Sequence, residues 1–132
     1  MPKSPSGWTV AVFGALALTT GALGLLAPGA LAGALGFATP LSGAAAVFLA
    51  ASSMASFNMG VYYLLAAHRE WRPFYRATVA FRSVTVIVFT ALVLVGPAPV
   101  GFLGVAAWEG AGALATGVAL AVERRRTAMI VA

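Results

Sequence analysis

Four long apolar runs dominate the chain, and its polar residues fall mostly between or beyond them. The runs cover about residues 8–27, 41–67, 78–95 and 101–122. Each is close to the ~20 residues that a helix needs to cross a bilayer. None shows the ~10-residue apolar–polar alternation of a membrane β-strand. Pro28-Gly29 closes the first run, and Thr39 or Ser42 stands ready to cap the second. Gly96-Pro97-Ala98-Pro99 parts the third from the fourth, because proline lacks the amide that a continuing helix would use. So short a connection makes these two runs an antiparallel hairpin. The run Arg124-Arg125-Arg126 is expected to stop the fourth helix. The pattern predicts an all-α fold, a single domain built as a four-transmembrane-helix bundle. The apolar, glycine-rich stretch 29–37 either lies in the outer interface or forms a short half-helix after Pro28, and its role is that of a greasy loop or of a contact for a partner or lipid.

Composition turns this pattern into a statement about solvent. Of 132 residues, 61% are hydrophobic and 8% charged. Mean hydropathy is +0.97. Soluble domains are about 45–50% apolar and about 25% charged. A domain this small leaves much of its surface uncovered, so lipid must take the place of water over most of it. Lys3, the first apolar run and Ala30-Leu31-Ala32 resemble a cleavable leader. The apolar run is longer than a leader's core, so the first helix is expected to be retained.

The net charge of +5 follows the topology. Lys3 precedes the first run, and Arg69, Arg72 and Arg76 lie between the second and third. Arg82 sits one turn inside the third run, and Arg124 to Arg126 follow the fourth. All eight basic residues therefore share one face, whereas 28–40 and 96–100 carry no charge. The positive-inside rule puts that face, with both termini, in the cytoplasm. No nucleic-acid partner is needed to explain the charge. Trp8, Tyr62, Tyr63, Trp71 and Tyr75 gather near the same face, as an interfacial aromatic belt would.

Candidate chemistry lies in residues that lipid rejects. Glu109 falls about mid-span in the fourth run, where a charged group costs roughly 2.5–3.5 kcal/mol to insert. Its helical neighbours Val105, Gly112, Ala113 and Thr116 are small, which suits close packing. It is either a proton-, cation- or ligand-binding group or a paired structural anchor. Arg82 is its natural partner. Counted from the turn, the two differ in depth by about 7–8 Å at 1.5 Å per residue, within reach of an extended arginine. The alternative is that Arg82 snorkels to the interface. On the second run, Ser52, Ser56, Met59 and Tyr63 form one stripe, and Asn58 and Tyr62 a neighbouring one. Asn58 and Tyr62 are candidates to join Arg82 and Glu109 in one polar cluster. Glycines recur at 14, 21 and 24 and again at 104, 110, 112 and 117. Such faces allow helices to approach closely, within the bundle or between subunits. In the segment 68–76, Trp71, Arg72, Tyr75 and Arg76 are candidate contacts for anionic lipid or a partner protein.

With no cysteine, one histidine and three glutamates, no metal-ligand set is visible. No catalytic nucleophile–base set and no phosphate-cradling glycine loop is present either. No cofactor is therefore expected, and the residues argue against a self-contained enzyme. An apolar groove for lipid or pigment needs none of these groups.

Tyr62-Tyr63-Leu64-Leu65-Ala66-Ala67, the segment Trp71-Arg72-Pro73-Phe74-Tyr75-Arg76-Ala77-Thr78-Val79, Arg82 and the turn Gly96-Pro97-Ala98-Pro99 resemble small bacterial four-helix membrane proteins of the DoxX-like group. The resemblance covers roughly 60 residues and implies the fold, a bacterial cytoplasmic membrane and an accessory role. Where that group tends to carry aspartate, this chain has Glu109. The expectation is an accessory or assembly subunit that packs against other membrane subunits or itself. The alternative is a small homo-oligomeric transporter or channel that uses Glu109.

Overall fold

The computed structural model describes residues 1–131, with the side chains described to residue 129. Its helices are α1 (Pro5–Leu26), α2 (Pro28–Ala34), α3 (Gly43–His68), α4 (Arg72–Val95) and α5 (Leu103–Val131), with a 3₁₀ turn at Val100–Phe102 before α5. Four spans are long and apolar enough to cross a membrane: α1, α3, α4 and the 3₁₀ turn with α5. This architecture fits a multi-pass membrane protein. Large apolar side chains cover the outside, with Phe48 and Phe81 about three-quarters exposed at 74% and 73%.

The helix ends differ from expectation for identifiable reasons. α1 begins three residues early, because Ser4 caps it and Pro5 supplies a preset first turn. The stretch after Pro28 forms a short half-helix, α2. α4 begins at Arg72 rather than near residue 78, with Pro73 in its first turn. The connection from α3 is therefore a tight turn rather than a basic loop. Trp71 N–H reaches back to the Ala66 carbonyl and Glu70 N–H to that of Ala67, which closes the end of α3. Glu70 takes the left-handed conformation there, with φ 52°, where glycine is usual. Gly96 does the same after α4, with φ 99°. The arginine run does not stop α5, which continues to Val131. Arginine is a good helix former, so charge ends the apolar span without ending the helix.

α1 is the central helix. It packs along most of α3 on one side and against α5 on the other, and α4 packs on α5. The order around the bundle is thus α3–α1–α5–α4. The glycines of α1 explain its position. A Cβ at Gly21 would strike the backbone of Phe57 and Ser53 in α3, and one at Gly60 the backbone of Leu18 and Gly14 in α1. Ser56 donates to the Ala17 carbonyl across the same seam at 2.9 Å. Backbones this close gain dispersion contact, the main attraction between helices in lipid.

Candidate functional site

Helices α3 and α4 follow one another in sequence yet meet only near the turn that joins them. Tyr63 packs edge-on to Phe74 there, and Tyr75 reaches the end of α3. Beyond that turn a cleft of about 810 Å³ separates them. α2 covers it at the far end with Leu31 and Leu35, and Phe89 and Phe102 line it from α4 and the 3₁₀ turn. The α3 wall carries Ser52, Ser56, Met59 and Tyr63, the stripe recognisable in the sequence.

Arg82 and Glu109 form the charged end of this cleft. Arg82 Nε lies 3.6 Å from Glu109 Oε2 and donates to the Tyr63 hydroxyl at 3.3 Å. Arg82 is buried, whereas the Glu109 side chain keeps 23% exposure. Snorkelling is therefore not its fate. The guanidinium carbon stands 4.4 Å from the centre of the Phe13 ring and 5.0 Å from that of Tyr63, so two aromatic rings attend the charge. Gly112 makes this placement possible, because a Cβ there would occupy the position of Arg82 Nη1. That Nη1 and the Ser53 Oγ, both buried, have no hydrogen-bond partner among the described residues.

The other candidates divide. Asn58 is exposed and outside the cleft, with no hydrogen bond among the described residues, and Tyr62 is 56% exposed. Neither joins the cluster. Both sit one step around α3 from the stripe that faces inward, and Tyr63 takes the role expected of Tyr62.

At the basic end, Trp71 is exposed and stacks on Phe74, and Arg76 is exposed. Arg72 is half-exposed and pairs with Glu123 at 2.8 Å. Tyr75 is not an interface residue: it is fully buried, and its hydroxyl donates to the carbonyls of Ala66 and Ala67 at 3.2 and 3.4 Å. Tyr63 likewise leaves the aromatic belt for the core.

Two further glutamates, Glu123 and Glu70, tie this end together. Glu123 accepts from Ser6 N–H at 2.8 Å and Ser6 Oγ at 3.0 Å, at the positive end of the α1 dipole. Glu70 accepts from Ser4 N–H at 2.9 Å, and also from Lys3 N–H and Ser4 Oγ. Partial burial alone would push the Glu70 carboxyl up, but the Ser4 and Lys3 hydrogen bonds and the charge of Arg72 outweigh it and hold the group below its ordinary 4.5. These ties join residues more than sixty positions apart. Ser4 and Ser6, at the start of α1, are their local signal in the sequence.

Comparison with family models, with curated proteins and with solved structures finds no match for this chain.

Two outcomes follow from these contacts. Glu109→Gln should destabilise the folded protein in micelles by about 3 kcal/mol, because it strands a buried guanidinium that cannot lose its charge. Arg82→Met should cost less, since the Glu109 side chain left behind keeps 23% exposure where that of Arg82 keeps 5%. The double variant should recover most of the loss, so a double-mutant cycle on chemical unfolding would show a large coupling. The second outcome concerns acid. A carboxyl held low in the folded state stabilises fully above its unfolded value near 4.5 and loses that contribution as pH falls through the lower folded value. Glu70→Gln should flatten the acid limb of a melting-temperature profile, while neutral-pH stability falls.

Proposed function

We propose that the chain is an accessory or assembly subunit that packs against a larger protein in the bacterial cytoplasmic membrane. The observation that carries this reading is a difference among its glycines. Those of the α1–α3 seam, and Gly112, have no room for a Cβ. Gly110 and Gly117 of α5 do: a Cβ there would meet Val86 and Val79 at 3.6 and 3.7 Å, ordinary contact, and Gly104 faces open space. The fold itself does not require glycine at these positions. Gly110 and Gly117, with Ala113 and Ala121, line a shallow apolar groove of about 600 Å³ between α4 and α5. Small residues along a lipid-facing groove suit close approach by another helix. A second copy of this chain would use the same face. The resemblance to DoxX-like proteins agrees with the accessory role, and the clustered basic residues favour a cytoplasmic location for both termini.

Native mass spectrometry from mild detergent tests this reading. The wild-type chain should retain a second membrane protein. Gly110→Leu/Gly117→Leu should lose that partner yet melt within a few degrees of wild type. Gly21→Val, which overpacks the α1–α3 seam, should instead lower stability by about 1–3 kcal/mol. A wild-type chain that is recovered alone and fully stable contradicts the assignment.

The partial exposure of Glu109 into the cleft favours a second reading, a small homo-oligomeric transporter or channel that uses this carboxylate for a proton or cation. Proton-coupled flux in liposomes should then drop at least about tenfold in Glu109→Gln, the effect of losing a proton-transfer group. Unchanged flux removes Glu109 from any such mechanism.

A further inference from the structure

The basic end of the bundle carries chemistry that assembly through the α4–α5 groove leaves unused. Arg82 and Glu109 cancel, so the whole net charge of +5 sits at the end where α1 begins and α5 finishes. The two acidic residues there are already committed, Glu70 to Lys3 N–H and Ser4 and Glu123 to Ser6 and Arg72. Lys3, Arg69, Arg76, Arg124, Arg125 and Arg126 are exposed, and none has an acidic partner among the described residues.

The end of α5 decides what can answer these charges. Glu123 faces the bundle, since it holds Ser6 of α1 and Arg72 of α4. Successive residues of a helix point ~100° apart, so Arg124, Arg125 and Arg126 fan out at ~100°, ~200° and ~300° from Glu123. They cover every direction that the bundle leaves open. A packed helix presents a stripe of about 100° to its partner, so one protein surface would meet only part of this fan. Lipid headgroups surround the helix and meet all three side chains. The depth agrees. The span Val100–Met129 has 30 residues, ~45 Å at 1.5 Å per residue, against ~30 Å of hydrocarbon, so its end emerges from the apolar layer. The Arg72–Glu123 pair sets α4 and α5 level, and Arg76 lies one turn deeper, ~6 Å. From Arg76 to Arg126 the cations occupy a band ~10 Å deep, with exposed Trp71 inside it as an interfacial marker. A headgroup layer is roughly 5–8 Å thick on each side, and the arginine stems cover the difference.

Topology alone asks for positive charge, which lysine supplies as well. Six of the seven basic residues at this end are arginine. A guanidinium is a planar fork that takes two phosphate oxygens at once, whereas an ammonium acts as a point charge. We propose that this end binds anionic phospholipids, with Arg124, Arg125 and Arg126 gripping headgroup phosphates around α5 and Arg76 reaching the same layer beside α4. The proposal goes beyond the accessory role and does not rest on it, since a lipid adduct and a protein partner are separate masses.

The test is native mass spectrometry of the full chain in mild detergent, titrated separately with phosphatidylglycerol, phosphatidylcholine and inorganic phosphate. Phosphatidylglycerol should bind at least about tenfold more tightly than phosphatidylcholine, since each basic residue near an anionic surface is worth about fivefold. Added salt should weaken that binding. Inorganic phosphate, which has no acyl chains to hold it at this level, should neither bind nor displace the lipid. Arg124→Gln/Arg125→Gln/Arg126→Gln should lose most of the preference, yet melt within a few degrees of wild type, because glutamine is as good a helix former. Arg124→Lys/Arg125→Lys/Arg126→Lys keeps the charge and should bind phosphatidylglycerol less tightly than wild type and more tightly than the glutamine variant. Gly110→Leu/Gly117→Leu, in the assembly groove, should bind it as wild type does. Equal binding of the two lipids, displacement by phosphate, a preference undiminished in the glutamine variant or a lysine variant equal to wild type would overturn the proposal. So would a protein that binds this end in place of lipid and is lost with the three arginines.

Discussion

Close backbone contact between α1 and α3 is the constraint from which the rest of this bundle follows. In lipid, apolar side chains gain little by leaving their surroundings, so helices associate where their backbones come near enough for dense contact. Gly14, Gly21 and Gly60 provide that nearness, and a single added Cβ on this seam would meet main-chain atoms. With α3 committed to one side of α1, α5 takes the other, and α4 follows α5 through the tight turn at Gly96. α3 and α4 are then neighbours in sequence at opposite ends of an arc. The cleft is the space this order leaves between them.

Charge organises what packing leaves open. The chain has three acidic side chains, and each holds distant segments together. Glu70 grips the residues ahead of α1, Glu123 joins the first turns of α1 and α4, and Glu109 meets Arg82 inside the bundle. The first two lie near water and hold the basic end. The third lies where an unpaired charge is costly, so Tyr63, Phe13 and the bare backbone of Gly112 are all gathered around its partner. Glu70 shows the same priority in its backbone, keeping a left-handed conformation that glycine would hold more easily, because its carboxylate is needed at that turn.

The candidate site was half legible beforehand. The depths of Arg82 and Glu109 follow from one-dimensional arithmetic, since a hairpin of known turn and rise sets each, but whether Arg82 turns inward to Glu109 or snorkels to the interface depends on which faces meet. The stripe Ser52, Ser56, Met59, Tyr63 follows from helical period alone. Choosing between this stripe and that of Asn58 and Tyr62 was another matter. The two lie about one residue apart around α3, and both are polar enough to attract attention. Only the angle at which α3 meets α1 turns one inward. Tyr75 illustrates the same limit: an aromatic among arginines reads as an interface anchor, yet α4 starts early enough to carry it beneath the end of α3.

Four spans, their length and the common side of their charges are properties of the chain as a string. They depend on runs of apolar side chains and on the backbone's need to satisfy its own hydrogen bonds in lipid, both of which act locally. Which helices touch, which polar stripe faces the cleft and which carboxylate finds which donor depend on rotation and approach between helices. Those are set by glycine contacts and ion pairs linking residues as far apart as Ser6 and Glu123, and no local pattern records them.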